Sequence, residues 1–139
     1  QGDIRNFNDV YNFGKELDAI TIEIESVNLE ALEKLEAAGV TIYPKPAALK
    51  IIRNKILQKE FYEINQIPSS EYIVTENQSE LFLQKDFLPA VHKIALGGYD
   101  GKGVQVLLKE VDLKSGFNEP AIPLLAGLGL VGCTGGWLL

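Results

Sequence analysis

A glycine-rich segment between two apolar runs constrains the fold of this chain more than any other feature. Residues 91–96 alternate in the manner of a strand, and a second apolar run begins at Val104. Four glycines occupy the seven positions 97–103 between the two runs. The pattern predicts a β-hairpin over 89–109 whose turn leaves backbone N–H groups uncovered and able to donate to an anion.

The spacing in this turn differs from two common phosphate-binding motifs. In G-x-x-x-x-G-K-[ST], a glycine would stand at Leu96 and a Ser or Thr at Gly103. In G-x-G-x-x-G, the glycines open a helix, whereas the residues after Gly103 are typical of a strand. The sequence therefore predicts a flap that folds over phosphates, with an ordinary solvated hairpin as the alternative.

Lys93 favours the flap over the solvated hairpin. Strand alternation predicts that Val91, Lys93 and Ala95 share one face, where a merely solubilising lysine is not expected. His92 then lies on the opposite face, and we expect a surface imidazole without a catalytic role. As the single histidine of the chain, it does not suggest a metal site.

The order of elements predicts an α/β fold in two parts. Hydrophobic periodicity predicts a helix over 7–16, a strand over 18–25, a helix over 28–38 and a strand over 40–43. This alternation is typical of the end of a doubly wound parallel sheet. After the break at Pro44-Lys45-Pro46, the prediction continues with a helix over 47–65, a strand over 71–75, a helix over 77–85 and the hairpin.

Three segments in this order resemble one family. They are Thr21-Ile22-Glu23-Ile24-Glu25-Ser26-Val27, Asn54-Lys55-Ile56-Leu57-Gln58-Lys59-Glu60-Phe61 and Gly97-Gly98-Tyr99-Asp100-Gly101-Lys102-Gly103. The chain resembles the N5-carboxyaminoimidazole ribonucleotide synthetases of the ATP-grasp superfamily over about residues 1–118. The resemblance implies the end of a pre-ATP-grasp domain in 1–45, the small α+β subdomain of an ATP-grasp fold in 46–118, and an atypical apolar tail in 119–139.

The resemblance also assigns site residues. It implies ATP binding by Lys55, Lys93, Gly98, Tyr99, Asp100, Gly101, Lys102, Gly103 and Val104, and substrate binding by Glu23. From pattern alone, Glu23 and Glu25 could equally point into solvent from an edge strand, and Lys55 and Lys59 could lie on a solvated helix face. Glu25 is expected to support Glu23, and Lys59 to be structural. Asn54 stands where relatives carry Asp, which weakens the expected capping of Lys55.

The activity implied by the resemblance is an ATP-dependent ligation. Bicarbonate is activated as carboxyphosphate, and its carboxyl group is transferred to the amine of 5-aminoimidazole ribonucleotide, with Mg²⁺ as cofactor and a homodimer as the assembly. The metal ligands are expected outside this chain, so no residue here is assigned to the metal or to covalent catalysis. Formate-dependent glycinamide ribonucleotide formyltransferase and a non-catalytic nucleotide-binding segment remain as alternatives.

Composition bounds the remaining possibilities. The net charge of −6 argues against nucleic acid as a partner, because no basic stripe is available to neutralise phosphates. The single cysteine, Cys133, cannot form an internal disulfide, and nothing resembles a signal peptide, so we expect a cytoplasmic protein. The absence of Met and the uncharged run Pro120 to Leu139 suggest a fragment or a shifted reading frame more than a membrane anchor.

Overall fold

The computed structural model describes residues 1–98 and 102–125. The chain divides into two compact units, Gln1–Gln58 and Lys59–Leu139. The contacts therefore divide the chain thirteen residues after the boundary expected at 45/46. The two units are described separately.

The first unit contains the alternating elements that the sequence predicts. They are α1 (Phe7–Gly14), β1 (Ala19–Thr21), α2 (Leu29–Ala37), β2 (Thr41–Tyr43), α3 (Pro46–Arg53) and the start of α4 (Lys55–Ile64). The strands β1 and β2 are parallel, with Ala19 opposite Thr41 and Thr21 opposite Tyr43. The α/β class with a parallel sheet is confirmed. The strand predicted over 18–25 is shorter, because the chain bends away from β2 after Thr21.

Local signals in the sequence set the ends of the helices in this unit. The side chain of Asn6 accepts hydrogen bonds from the N–H groups of Asn8 and Asp9 at the start of α1. Asn28 accepts from the N–H of Ala31 at the start of α2, where the sequence places a helix start. Gly39 follows α2 with φ of +97°, a conformation that L residues other than glycine rarely adopt.

The core of the first unit lies between α2 and the short sheet. Leu32 and Leu35 have no exposed surface, and Ile42 and Leu49 are 2% exposed. These residues form one cluster with Val10 of α1. Burial of leucines at helical spacing is what positions the carboxyl end of β1 beside the helices.

The single helix predicted over 47–65 is wrong. The structure contains two helices, α3 and α4, that are separated by Asn54 in an extended conformation (φ −116°, ψ 113°). The Oδ1 atom of Asn54 accepts hydrogen bonds from the N–H groups of Ile56 (2.9 Å) and Leu57 (3.3 Å). An asparagine that caps a new helix competes with helix continuation, and periodicity alone does not reveal that competition.

The second unit is built around a three-stranded antiparallel sheet. Its elements are the rest of α4, α5 (Gln78–Phe82), β3 (Ala90–Ile94), β4 (Val104–Leu107) and β5 (Ala121–Leu125), with 3₁₀ turns at Lys85–Phe87 and Glu110–Ser115. The strand order is β4-β3-β5. The predicted hairpin is confirmed, since β3 and β4 pair antiparallel.

Two expectations for this unit differ from the structure. Residues 71–75 do not form a continuous strand, although Thr75 forms an isolated antiparallel bridge with Ala121 and the N–H of Ile73 donates to the carbonyl of Pro123 at 3.1 Å. Residues 121–125, expected within an atypical tail, form β5 and pair with β3. The side chains of Ala121 and Ile122 are buried, with 0% and 1% of their surface exposed. Residues 126–139 of the predicted tail lie outside the described residues.

The core of the second unit lies under the sheet. Leu81 of α5, Leu107 of β4 and Leu113 form its apolar cluster and are at most 1% exposed. His92 is also fully buried in this unit. Over residues 1–98 and 102–125, no helix has the length and apolar character needed to cross a membrane.

Candidate functional site

The hairpin holds most of the residues predicted to contact ATP. Lys93 lies in β3, Val104 begins β4, and Gly98, Lys102 and Gly103 lie in the described parts of the connection between them. The fold thus brings these five residues into one short structure. Tyr99, Asp100 and Gly101 lie outside the described residues.

Gly103 and Gly98 are glycines for steric reasons. Gly103 has φ of +74°, and a Cβ atom built on it would lie 2.4 Å from Cδ1 of Ile94. A Cβ on Gly98 would lie 2.9 Å from the carbonyl oxygen of Lys102. The two ends of the turn therefore approach each other more closely than any other residue type permits.

Lys93 lies on an apolar face of the sheet, as the alternation predicts. Its Cα partners are Val104 in β4 and Ile122 in β5, so their side chains share its face. The Lys93 side chain is half-buried. The positive charge of Lys93 attracts an anion that reaches this face of the sheet.

Lys59 is a cation of this unit that the sequence interpretation did not assign to the site. Its side chain is 8% exposed, and its Nζ atom donates to Oγ of Ser69 and to O and Oγ of Ser70. Burial lowers the pKa of Lys59, and the charge of Lys93 lowers it further. The two lysines are thus close enough to repel each other. Lys59 is the last residue of the K-x-x-Q-K motif, but the motif does not reveal that Lys59 is buried, because its burial depends on the loop at 69–70.

His92 corrects the expectation of a surface imidazole. The ring is completely buried, lies 5.1 Å from the ring of Phe117, and neither nitrogen has a hydrogen-bond partner among the described residues. Burial lowers the pKa of His92 to about 4, so the ring is neutral at pH 7. His92 belongs to the core of the second unit and does not reach a ligand on the Lys93 face.

Lys55 is the first residue of α4 and is half-buried. Asn54 provides the N-terminal cap of this helix, so the expected weakening of the cap by the loss of Asp is wrong. The first turn of a helix carries partial positive charge, which adds to the charge of the lysine side chain. The division between the two units falls after Gln58, within α4, so Lys55 belongs to the first unit.

Glu23 lies in the first unit, two residues after the end of β1, and its side chain is exposed. The N–H of the preceding Ile22 still donates to the carbonyl of Tyr43, at 2.7 Å. Glu23 therefore leaves the sheet at the carboxyl end of a parallel strand, the position at which open α/β sheets bind ligands. Glu23 thus lies in the loop after β1 and not within the strand predicted over 18–25, and its role in substrate binding remains a prediction.

A cavity of about 620 Å³ lies beside Glu23 in the first unit. Its walls include Phe13, Ile20 and Ile24 together with the carboxylates of Asp3, Asp9 and Glu23. No described lysine or arginine lines it. The cavity could thus accept an amine or a heterocycle but supplies no cationic side chain for a phosphate group.

A magnesium ion would require carboxylate or carbonyl ligands close to one another. Within residues 1–98 and 102–125, no three His, Cys, Asp or Glu side chains are grouped to hold a metal ion. We therefore assign no step to a metal through the residues of this chain.

Comparison with known proteins gives a consistent set of relatives. Residues 1–53 match the ribonucleotide synthetase preATP-grasp domain. An N5-carboxyaminoimidazole ribonucleotide synthase from Pseudomonas aeruginosa is 34% identical over 106 residues, which are 75% of this chain and 29% of that protein. A formate-dependent phosphoribosylglycinamide formyltransferase from Sulfurisphaera tokodaii is 34% identical over 105 residues, 73% of this chain and 26% of that protein.

A solved structure extends the match to the second unit. The N5-carboxyaminoimidazole synthase of Aspergillus clavatus, in complex with ADP and 5-aminoimidazole ribonucleotide, superposes with a TM-score of 0.74 and 27% identity. The match covers 91% of this chain and 34% of that one. The predicted fold, the end of a pre-ATP-grasp domain followed by part of an ATP-grasp fold, is confirmed. The chain spans less than a third of the length of the curated relatives it matches.

Proposed function

We propose that the chain is a segment of an N5-carboxyaminoimidazole ribonucleotide synthetase, an ATP-grasp ligase, and that it contributes two parts of such an enzyme's active site. The hairpin of β3 and β4 is the flap that covers the nucleotide phosphates. The loop after β1 contacts the ribonucleotide substrate. The observation that carries the proposal is Lys93, which lies opposite Val104 and Ile122 at the entrance to a turn that has no room for a Cβ atom at Gly98 and Gly103.

The proposed reaction forms a carbon–nitrogen bond at the expense of ATP. An oxygen of bicarbonate attacks the γ-phosphorus, ADP leaves, and carboxyphosphate results. The amine nitrogen of 5-aminoimidazole ribonucleotide then attacks the carboxyl carbon, and phosphate leaves. Reactions of this type depend on positioning and charge neutralisation, so no nucleophilic side chain is needed.

The described residues fit this chemistry through charge and shape. Lys93 and Lys102 neutralise phosphate oxygens, while N–H groups of the turn at Gly98 and Gly103 donate to them. Lys55, at the start of a capped helix in the first unit, stays a predicted ATP-binding residue. Val104 begins the second strand of the proposed flap, which excludes water from the reactive intermediate. Tyr99, Asp100 and Gly101, which lie outside the described residues, stay predicted ATP contacts.

Glu23 is proposed to accept a hydrogen bond from the amine of 5-aminoimidazole ribonucleotide. The cavity beside it has apolar walls and three carboxylates, which suits an amine-bearing heterocycle. Its lack of a described lysine or arginine requires that the ribose phosphate be bound by residues other than those that line it. Bicarbonate, Mg²⁺ and a homodimeric assembly remain predictions from the resemblance, and a cytoplasmic location remains a prediction from the sequence.

The substitution Glu23→Gln tests this assignment. In a chimaera with residues 1–118 in place of the matching segment of the Pseudomonas aeruginosa synthase, we expect the KM for aminoimidazole ribonucleotide to rise about tenfold or more. The cause is the loss of a hydrogen bond to a charged acceptor. The KM for ATP should stay within about twofold. Glu30→Gln, an exposed glutamate of α2, is the matched control. A larger effect on ATP than on the ribonucleotide would contradict the role of Glu23.

The formyltransferase remains the second candidate, because a member of that family is as similar in sequence as the synthase is. The two candidates share ATP and a ribonucleotide with a free amine but differ in the one-carbon acid, which is bicarbonate in one and formate in the other. The G-G-Y-D-G-K-G turn, which resembles the synthetases, favours bicarbonate.

A further inference from the structure

Lys59 is fixed more firmly than any ordinary surface lysine. Its ammonium group has three N–H donors, and three acceptors surround it: Oγ of Ser69, and O (3.0 Å) and Oγ (2.9 Å) of Ser70. Its side chain is 8% exposed. All of its donors are used within the protein, so Lys59 cannot bind a ligand directly without breaking these bonds.

The environment of Lys59 leaves its charge unneutralised. Its Nζ atom lies 5.6 Å from the centre of the Tyr72 ring, a favourable but weak interaction. Among the described residues, no carboxylate forms an ion pair with it. The nearby Glu63 accepts a hydrogen bond from the Tyr72 hydroxyl at 3.1 Å. A buried cation without an ionic partner is costly, so its retention calls for a compensating role.

The second cation beside Lys59 indicates what that role is. The Tyr72 ring beside Lys59 belongs to a segment that runs alongside β5, because the N–H of Ile73 donates to the carbonyl of Pro123 at 3.1 Å. In turn, β5 pairs with β3, the strand that holds Lys93. The charge of Lys93 lowers the pKa of Lys59, in agreement with this placement. Both side chains belong to the second unit, and Lys93 is the residue we propose for the nucleotide phosphates. Two lysines that repel each other in a weakly screened region attract an anion more strongly than either does alone.

We infer that Lys59 is a positioning residue of the phosphate site, which holds residues 69–70 against α4 and adds fixed positive potential behind Lys93. The inference rests on the proposed function of Lys93. A phosphate bound at Lys93 lowers the electrostatic cost of the Lys59 charge, and by linkage the Lys59 charge tightens binding of the phosphate. Lys59 thus acts on the ligand without touching it.

The first test needs no nucleotide. We would label the lysines of the 139-residue chain with ¹³C at Cε and titrate Lys59 by NMR in the wild type and in Lys93→Met. We expect the pKa of Lys59 to rise in Lys93→Met, because a neighbouring positive charge has been removed. Tyr72, whose ring lies beside Lys59, and the two glutamates that act on Tyr72, Glu60 and Glu63, are retained in both proteins. An unchanged Lys59 titration would overturn the inference whatever the function of the chain.

The second test adds ATP with Mg²⁺ and, separately, inorganic triphosphate as probes. We expect Lys59→Met to weaken both about threefold to tenfold and Lys59→Arg to restore most of the affinity, with Lys85→Met unchanged. A purely structural Lys59 would lower the melting temperature and leave the affinity of the folded chain unaltered, which would refute the inference. Absence of binding by the wild type would refute the proposed function and leave the first test to decide on Lys59.

Discussion

Substitution of Lys93 by alanine is expected to weaken ATP binding by about tenfold to a hundredfold. A charge-assisted hydrogen bond to phosphate contributes about 1.5–3 kcal/mol, and the apolar surroundings from Val104 and Ile122 reduce screening of the Lys93 charge. Since alanine is tolerated in a strand that is paired on both sides, we expect the fold to persist.

The control for this experiment must be an exposed lysine of the same unit. Lys85 lies in a 3₁₀ turn, is exposed, and belongs to the second unit, so Lys85→Ala tests the loss of one positive charge alone. His92→Ala is unsuitable because it would remove a fully buried side chain and leave a cavity. Isothermal titration calorimetry with ATP and Mg²⁺ measures the effect. Equal losses of ATP affinity in Lys93→Ala and Lys85→Ala would show that Lys93 does not bind the nucleotide.

Acid is expected to destabilise the second unit through His92. The pKa of His92 is about 4 in the folded chain, against an ordinary 6.5, because of burial. Between pH 4 and pH 6.5, His92 is therefore protonated in the unfolded chain but mostly neutral in the folded chain. The free energy of unfolding should be unaffected above pH 6.5 and fall by about 3 kcal/mol as the pH falls to 4.

The substitution His92→Phe tests this origin of acid sensitivity. Phenylalanine keeps an aromatic ring beside Phe117 but cannot be protonated. Urea unfolding is measured at pH 7.5 and pH 4.5, with hydrogen exchange of the β3 amides as the probe. Between the two pH values, the free energy of unfolding should fall less in His92→Phe than in the wild type. The carboxylates of Asp3 and Asp112 have lowered pKa values, through hydrogen bonds from the backbone of Arg5 and of Leu108 respectively, so their contributions disappear at still lower pH. An identical loss of stability in both proteins would rule out His92 as the cause.

The sequence predicted the elements whose signals are local. Asn28 and Gly39 mark the ends of α2, and the alternation of residues 91–96 predicts β3 and the face on which Lys93 lies. The glycine turn was predictable because close approach and positive φ restrict the residue type at Gly103. These features depend on neighbours within a few positions along the chain.

The features that the sequence did not reveal depend on contacts between distant segments. His92 is buried because Phe117 and the core under the sheet cover it, which strand alternation alone does not indicate. The ammonium group of Lys59 in α4 is buried by hydrogen bonds to the loop at 69–70, which begins ten residues later in the chain. Pairing of β5 with β3 joins residues that are some thirty positions apart. In each case tertiary packing decides the outcome.

The substrate dependence of ATP hydrolysis tests the central claim most directly. The chimaera with residues 1–118 of this chain would be supplied with ATP and Mg²⁺, and ADP release would be followed with two pairs of substrates. We expect ADP release with 5-aminoimidazole ribonucleotide and bicarbonate, accompanied by incorporation of labelled bicarbonate, and little release with glycinamide ribonucleotide and formate. A folded chimaera that binds ATP but releases ADP only with glycinamide ribonucleotide and formate, or with neither pair, would contradict the proposed function.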